Sequence, residues 1–397
     1  MNHNMDNIIS PLVGEQELHH REAVLDLLEA VFGEVSGRCR RETYDWQFKE
    51  NGIGAPSRML IYWSEGRPAG TSGLFDTTLY VKGRPVPAAF FTDLAVSPAC
   101  RGRGAGDRLT AAVQSAGQVV TIGLGTNPAS NHIMRKRGFV EVDGVVPMFR
   151  LLRAERLLRR RLGESPPLSL VQACLHLGAR ADTIRWKLFR PIRRALSPGI
   201  RTVASAFSRS GSQGRESAGV ARPFRSGYRA PVQVRSVQAF PPDVDRLMRA
   251  VPHFWNITFA PDHEALNRRY QAHPLHHYRL EVAWRGEEPA GVAAWRAFSE
   301  SGDLVMGHLS MIYFIPGDEE VADALVLSGL DWLFQQGAYL VKALGCDPAL
   351  VRALRRHLFI PRGDSPGLLF YTAEPELQQE LRTPWLVHLG CSDLDVR

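Results

Sequence analysis

Six consecutive residues, Arg101-Gly102-Arg103-Gly104-Ala105-Gly106, have the types and spacing to hold a pyrophosphate. A glycine turn lets backbone N–H groups converge on phosphate oxygens, and a helix starting at its end presents a partial positive charge of about half a unit. Arg101 and Arg103 add mobile cations. Taken alone, the run reads equally well as a plain tight turn. Just upstream, Asp93 stands in the apolar run FFTDLAV. A carboxylate there suits accepting a proton, directly or through water, and equally suits partnering a backbone N–H or an arginine. Asp76 and His132 are weaker candidates for the same task.

The hydrophobic pattern supplies elements to position these groups. A helix is expected over 16–32, then a segment YDWQF, then strands at RMLIYW, GTSGLFDTTLYV and AAFFTDLAVS. The strand over 88–96 is apolar on nearly every position, which predicts a central place in the sheet. After it come the glycine turn, a helix over 104–117, the strand VVTIGLG, a helix over 129–137 and a last strand from Phe139. This order is that of a mixed α/β nucleotide-cofactor unit without the usual dinucleotide fingerprint.

The sequence also repeats itself. At an offset of 220 residues, Leu124, Gly125, Pro128, Ala129, Arg135 and Phe139 fall on Leu344, Gly345, Pro348, Ala349, Arg355 and Phe359. GRPAG ending at Gly70 matches EEPAG ending at Gly291, at an offset of 221. Two anchors at nearly one period imply a duplicated unit, about 8–150 and 231–397. Carried by the same offset, the glycine turn lands on VADALV, Val321 to Val326, which has neither glycine nor arginine, and the neighbouring IPGDEE adds carboxylates that would repel phosphates. Asn127 maps to Asp347 and Gly138 to Leu358, so the second copy is expected to bind no phosphorylated cofactor. Its runs PHFWNITF and HPLHHY fit a packed core with surface histidines, or a cleft for a polar ligand; no carboxylate arrangement among them argues for metal.

Composition bounds the rest. At 397 residues, with 44% hydrophobic and 22% charged residues, the chain is sized for two domains and has no apolar run fit to span a bilayer. The start MNHNMDNIIS does not read as a secretion signal, so a cytoplasmic address is expected. Five scattered cysteines suggest neither disulfides nor a zinc site. Residues 150–229 hold 18 basic and 4 acidic side chains, a net of +14 against +7 for the whole chain, so the remainder is acidic. That segment reads as a basic, partly helical connector. It acts either as an intramolecular strap or as a reversible contact with an anionic membrane through Trp186, Leu188 and Phe189. No nucleic-acid module accompanies the charge.

With its surroundings, the turn resembles the GNAT acetyltransferase superfamily. Arg101, Gly104 and Gly106 fill the places of the family's phosphate turn after its fourth strand, and Asn127 with Gly138-Phe139 matches its later motif. The resemblance implies an α/β fold with a mixed sheet: two tandem GNAT-like domains, a catalytic one over 1–150 and a degenerate one over 231–397, joined by a basic linker over 151–230. It implies acetyl-CoA as cosubstrate. Backbone groups of Leu94, Ala95 and Val96 would bind the thioester and pantetheine, the amides of Arg101, Gly102, Arg103, Gly104, Ala105 and Gly106 would bind the pyrophosphate, and Asn127 would reach the pantetheine or order the next helix. Asp93 would serve as base. Where many members carry a tyrosine that protonates the leaving thiolate, this chain has Met134, which leaves the general acid unassigned. The implied function is N-acetylation of a small amine, an amino sugar of surface polysaccharide synthesis being the first choice. A Fem-type aminoacyl transferase, which needs no pyrophosphate turn, and a non-catalytic acyl-CoA-binding scaffold are the alternatives.

Overall fold

Strand 57–64 (β2) and strand 67–81 (β3) form a hairpin, and β3 forms another with strand 84–96 (β4), which carries Asp93. In a computed structural model, which describes residues 9–12, 16–33, 41–48, 50, 57–116, 118–125, 127–153, 230–301, 304–362 and 367–391, these strands are the centre of a mixed sheet. Before them come β1 (Ile9–Leu12), α1 (Gln16–Phe32) and α2 (Arg41–Phe48); the segment YDWQF is therefore helical. After β4 the chain turns into α3 (Ala105–Ala116), returns as β5 (Val120–Leu124) parallel to β4, and continues into α4 (Pro128–Lys136), β6 (Val140–Glu141) and β7 (Val146–Leu151). The run over 88–96 is central as its composition requires: β4 lies between β3 and β5, with Ala88, Ala89, Phe90 and Phe91 buried.

The later part repeats this plan. It comprises β8 (Val232–Val237), α5 (Val244–Ala250), β9 (Ile257–Phe259), α6 (His263–Leu266), β10 (Tyr278–Arg285), β11 (Glu288–Ser301), β12 (Leu304–Phe314), α7 (Glu319–Gln335), β13 (Ala338–Gly345) and α8 (Pro348–Arg356). It ends with β14 (Ile360–Pro361), β15 (Leu368–Tyr371), α9 (Pro375–Glu380) and β16 (Trp385–Leu386). The repeated glycine has a packing reason. A Cβ at Gly70 would lie 2.9 Å from Leu109 Cδ1 on α3, and one at Gly291 would lie 2.5 Å from Val321 Cγ1 and 2.9 Å from Leu325 Cδ1 on α7. In both copies the helix sits on the hairpin too closely for any side chain there.

The two copies are not closed on themselves. The first sheet runs β1-β2-β3-β4-β5-β15-β6, and the second runs β14-β7-β13-β12-β11-β10-β8. Thus β15, from the second copy, pairs with β5 and β6 of the first, while β7 pairs with β13 and β14 of the second. Residues 1–152 and 231–397 accordingly form one compact unit, apart from residues 153–230. The basic connector lies, but for its ends, outside the described residues.

Candidate active site

The bulge that aims Asp93 comes from the register of β3 against β4. Thr71 pairs with Ala95 and Gly73 with Thr92, so Asp93 and Leu94 together face Ser72. Asp93 absorbs the extra residue at φ +50°, a left-handed conformation that a non-glycine residue adopts at some cost. Aspartate and asparagine tolerate it better than most. The side chain is buried, with Gln47 Nε2 of α2 donating to its Oδ2 at 3.5 Å, while Thr71 Oγ1 donates to its backbone carbonyl at 3.3 Å. The bulge thus holds one buried carboxylate in a conformation that costs backbone energy. Of the weaker candidates, Asp76 is held by Arg58 at 2.8 Å and His132 sits on α4.

The same bulge opens the sheet. Parallel pairing of β4 with β5 ends at Phe91 and Gly123, beyond which the strands diverge. A cavity of about 60 Å³ lies in the fork, lined by Phe32, Thr92, Asp93, Leu94, Leu124 and Asn127 among others. Below it the chain makes a short 3₁₀ turn, Pro98–Cys100, then Arg101 to Gly104, then α3. Arg101 Nε donates to the Val96 carbonyl at 3.3 Å, tying the turn to the end of the strand. Gly102 and Gly104 have φ of +76° and +79°, and a Cβ at either would meet nothing within 4 Å. Space open at two left-handed glycines, before the unpaired first amides of a 12-residue helix, is a cradle that oxygens can enter and side chains would fill. The residues present therefore fit the diphosphate of a coenzyme A thioester.

Asn127 stands at the start of the next helix. It is the N-cap of α4, its Oδ1 accepting from Ser130 N at 2.9 Å, and its side chain borders the fork. Met134 is fully buried among Leu109, Val113 and Phe139 and reaches the same cavity. Helices α3 and α4 are locked by Arg137, whose Nε donates to Asp107 Oδ1 at 2.8 Å; this bond holds the Asp107 carboxyl below the usual carboxylate range.

The second copy departs from the constant offset at this turn. Eight residues separate β4 from α3, but four separate β12 from α7. VADALV is consequently not the turn but lies inside α7, with Val321, Ala322, Leu325 and Val326 buried, and the counterpart of the turn is Ile315–Asp318. There Arg285 pairs with Asp318 at 2.6 Å and with Glu320 at 3.0 Å. Carboxylates paired with an arginine thus stand at the counterpart of the first copy's turn. The fork is also filled. Pairing of β12 with β13 ends at His308 and Lys342, and beyond it Cys346 Sγ meets both Val387 N and Val387 O at 3.2 Å, while His388 packs edge-on against Tyr313 at 4.6 Å. The chain's own residues 387–388 occupy the second copy's slot. Leu358, at the position of Gly138, keeps the left-handed turn with φ +61°.

A larger cavity, about 630 Å³, lies between the face of β3 and β4 bearing Phe75 and Phe90 and the second copy's Met248, Arg269, Tyr270 and Tyr313. Of the histidine runs, His273 is buried and His277 exposed. Among the described residues no group of three or more His, Cys, Asp or Glu could hold a metal, and Cys100, Cys346 and Cys391 are in no disulfide. None of the described helices is long and apolar enough to cross a membrane.

A strand fork, a left-handed glycine cradle and a helix N-terminus in this order define an acyltransferase of the kind that uses coenzyme A thioesters. Residues 15–141 match the acetyltransferase (GNAT) domain model, a domain that takes acetyl-CoA as its cosubstrate. Solved structures extend the similarity of fold across both copies. A GCN5-related N-acetyltransferase from Anabaena variabilis superposes with a TM-score of 0.56 at 11% identity, over 92% of this chain and 73% of that one. A conserved protein from Enterococcus faecalis described as a probable N-acyltransferase gives 0.53 at 10% identity, over 95% and 74%. N-myristoyltransferase of Saccharomyces cerevisiae with bound myristoyl-CoA gives 0.51 at 12% identity, over 94% and 83%. No curated protein matches the sequence.

Proposed function

We propose that the chain is an acetyl-CoA-dependent N-acetyltransferase acting on a small amine in the cytoplasm, with residues 1–150 as its catalytic domain and 231–397 as a degenerate GNAT-like domain that shapes the acceptor side. The observation that carries this is the pairing of an open fork and cradle in the first copy with a filled fork and a carboxylate-bearing turn in the second. An amino sugar of surface polysaccharide synthesis remains our choice of acceptor; the 630 Å³ cavity is of a size for one.

Acetyl-CoA supplies an acyl group already activated as a thioester. The amides of residues 101–106 and the α3 N-terminus hold the diphosphate, and the edge of Leu94, Ala95 and Val96 beyond the end of the β4–β5 pairing holds the pantetheine arm beside the bulge. Asn127 contributes by fixing the start of α4. Asp93, held by Gln47, orients the incoming amine or takes its proton, and burial keeps competing water away. Met134 cannot protonate the leaving thiolate, which takes its proton from another group or from solvent at the mouth of the site.

Turnover of an amine panel with acetyl-CoA tests the reading. Acetylation of an amino sugar by the whole chain, lost in Gly104→Val, is the expected result. Coenzyme A binding without transfer to any amine would favour the scaffold reading instead.

A further inference from the structure

Positive charge is concentrated where the two copies meet at α2, away from the phosphate turn. Across the second sheet, Tyr278 pairs with Arg296, Arg296 with His308, and His308 with Lys342, so these four share one row and one face. Arg296 is 6% exposed and stacks over Phe298 at 4.5 Å, against whose ring His308 also packs. From the facing segment, Arg269, 4% exposed, lies over Trp46 of α2 at 5.7 Å, and the His273 ring is 4.3 Å from the same indole.

Two buried ring nitrogens in this group, His273 Nε2 and His308 Nδ1, have no hydrogen-bond partner among the described residues. His273 Nδ1 accepts from Leu275 N and His276 N at 3.2 Å each, which makes Nε2 the protonated nitrogen and a buried donor. Burial, then the charges of Arg269, His276 and Arg296, push the His273 imidazole down to about 2. Burial, then Lys342, Arg296 and His276, push His308 well below its usual range. A buried N–H donor in a field set by arginines and a lysine is matched by an oxyanion.

We propose that Arg269, Arg296, His273 and His308 form an oxyanion site that holds the carboxylate or phosphate ester of the amine acceptor. Arg269, alone of the four, also lines the 630 Å³ cavity, and it is there that the group meets a space a small acceptor can enter. Trp46, its wall, precedes Gln47, which holds Asp93, so one helix connects the anion site to the carboxylate beside the thioester fork. The acceptor is then an anionic amine, such as a sugar phosphate or an amino acid. This deepens the acetyltransferase reading and rests on it.

The test uses the full chain saturated with coenzyme A, so that the turn at 101–106 is filled, and titrates it with inorganic phosphate and with acetate while following histidine ring resonances. Saturable shifts of His273 and His308 are expected. Arg296→Gln should weaken anion binding about tenfold or more, and Lys342→Met, on the half-exposed rim, should weaken it several-fold even if the first variant folds poorly. Transfer to glucosamine 6-phosphate against glucosamine, and to glycine against glycinamide, then distinguishes a phosphate ester from a carboxylate: the anionic member of one pair should show the lower KM, and Arg296→Gln should close the gap. Absence of saturable binding by either anion, or binding unchanged in both variants, overturns the site. Failure of coenzyme A itself to bind would count against the acetyltransferase reading and is seen separately, before any anion is added.

Discussion

Asp93 is the residue on which chemistry and backbone geometry coincide, and its conformation decides how it can be tested. Because φ is +50°, alanine would confound loss of the carboxylate with backbone strain, whereas asparagine keeps both the shape and the left-handed tolerance. Asp93→Asn should lower kcat about 10²-fold or more while leaving acetyl-CoA affinity nearly unchanged, as steady-state kinetics and calorimetry together would show. Unchanged turnover in the folded variant removes Asp93 from the mechanism. At Gly104 the logic is reversed: a side chain meets no protein atom, so Gly104→Val should fold, at a strain cost of about 1–2 kcal/mol, and fail to bind the cosubstrate.

At the scale of elements, the recurring close approach of helix to hairpin is a packing constraint. Gly291→Ala would drive a methyl into Val321 and Leu325 and should destabilise the chain by about 1–3 kcal/mol in denaturant unfolding. Much of this level was legible in the sequence. The helices at 16–32, 105–116 and 128–136 and the strands before them follow from periodicity, and the glycine turn follows from composition. The rest depends on partners that periodicity does not report. VPMFRL and LLFY form strands, but nothing in their sequence says that β7 and β15 exchange sheets. A constant offset misplaced the second turn because four residues are missing there. The β4 bulge is a register difference, and the cation group is assembled from residues spread over 269–342; neither leaves a local pattern.

For the whole molecule, strand exchange makes each copy incomplete without the other. Separate halves are therefore poor objects for binding studies, and residues 1–150 expressed alone should expose the edge of β5 and aggregate or unfold, as circular dichroism and light scattering would show. Buried neutral histidines give the folded chain a second global property. His273 and His388 are pushed down to about 2 and about 3, chiefly by burial, while the unfolded chain protonates histidine near 6.5. The unfolded state thus binds more protons between those limits. Stability is full above pH about 6.5 and falls as the pH drops, each such histidine adding about 1.4 kcal/mol per pH unit. Melting temperature should decline steeply from pH 7 to pH 5, and a flat profile would contradict the burial of these rings.

The central claim is that one copy holds the cosubstrate and the other, with its slot filled by its own chain, does not. Calorimetric titration of the intact chain with acetyl-CoA measures this directly. A stoichiometry of one, abolished by Gly104→Val, is the expected result. Two equivalents bound per chain, or one equivalent that survives the Gly104 substitution, would contradict it.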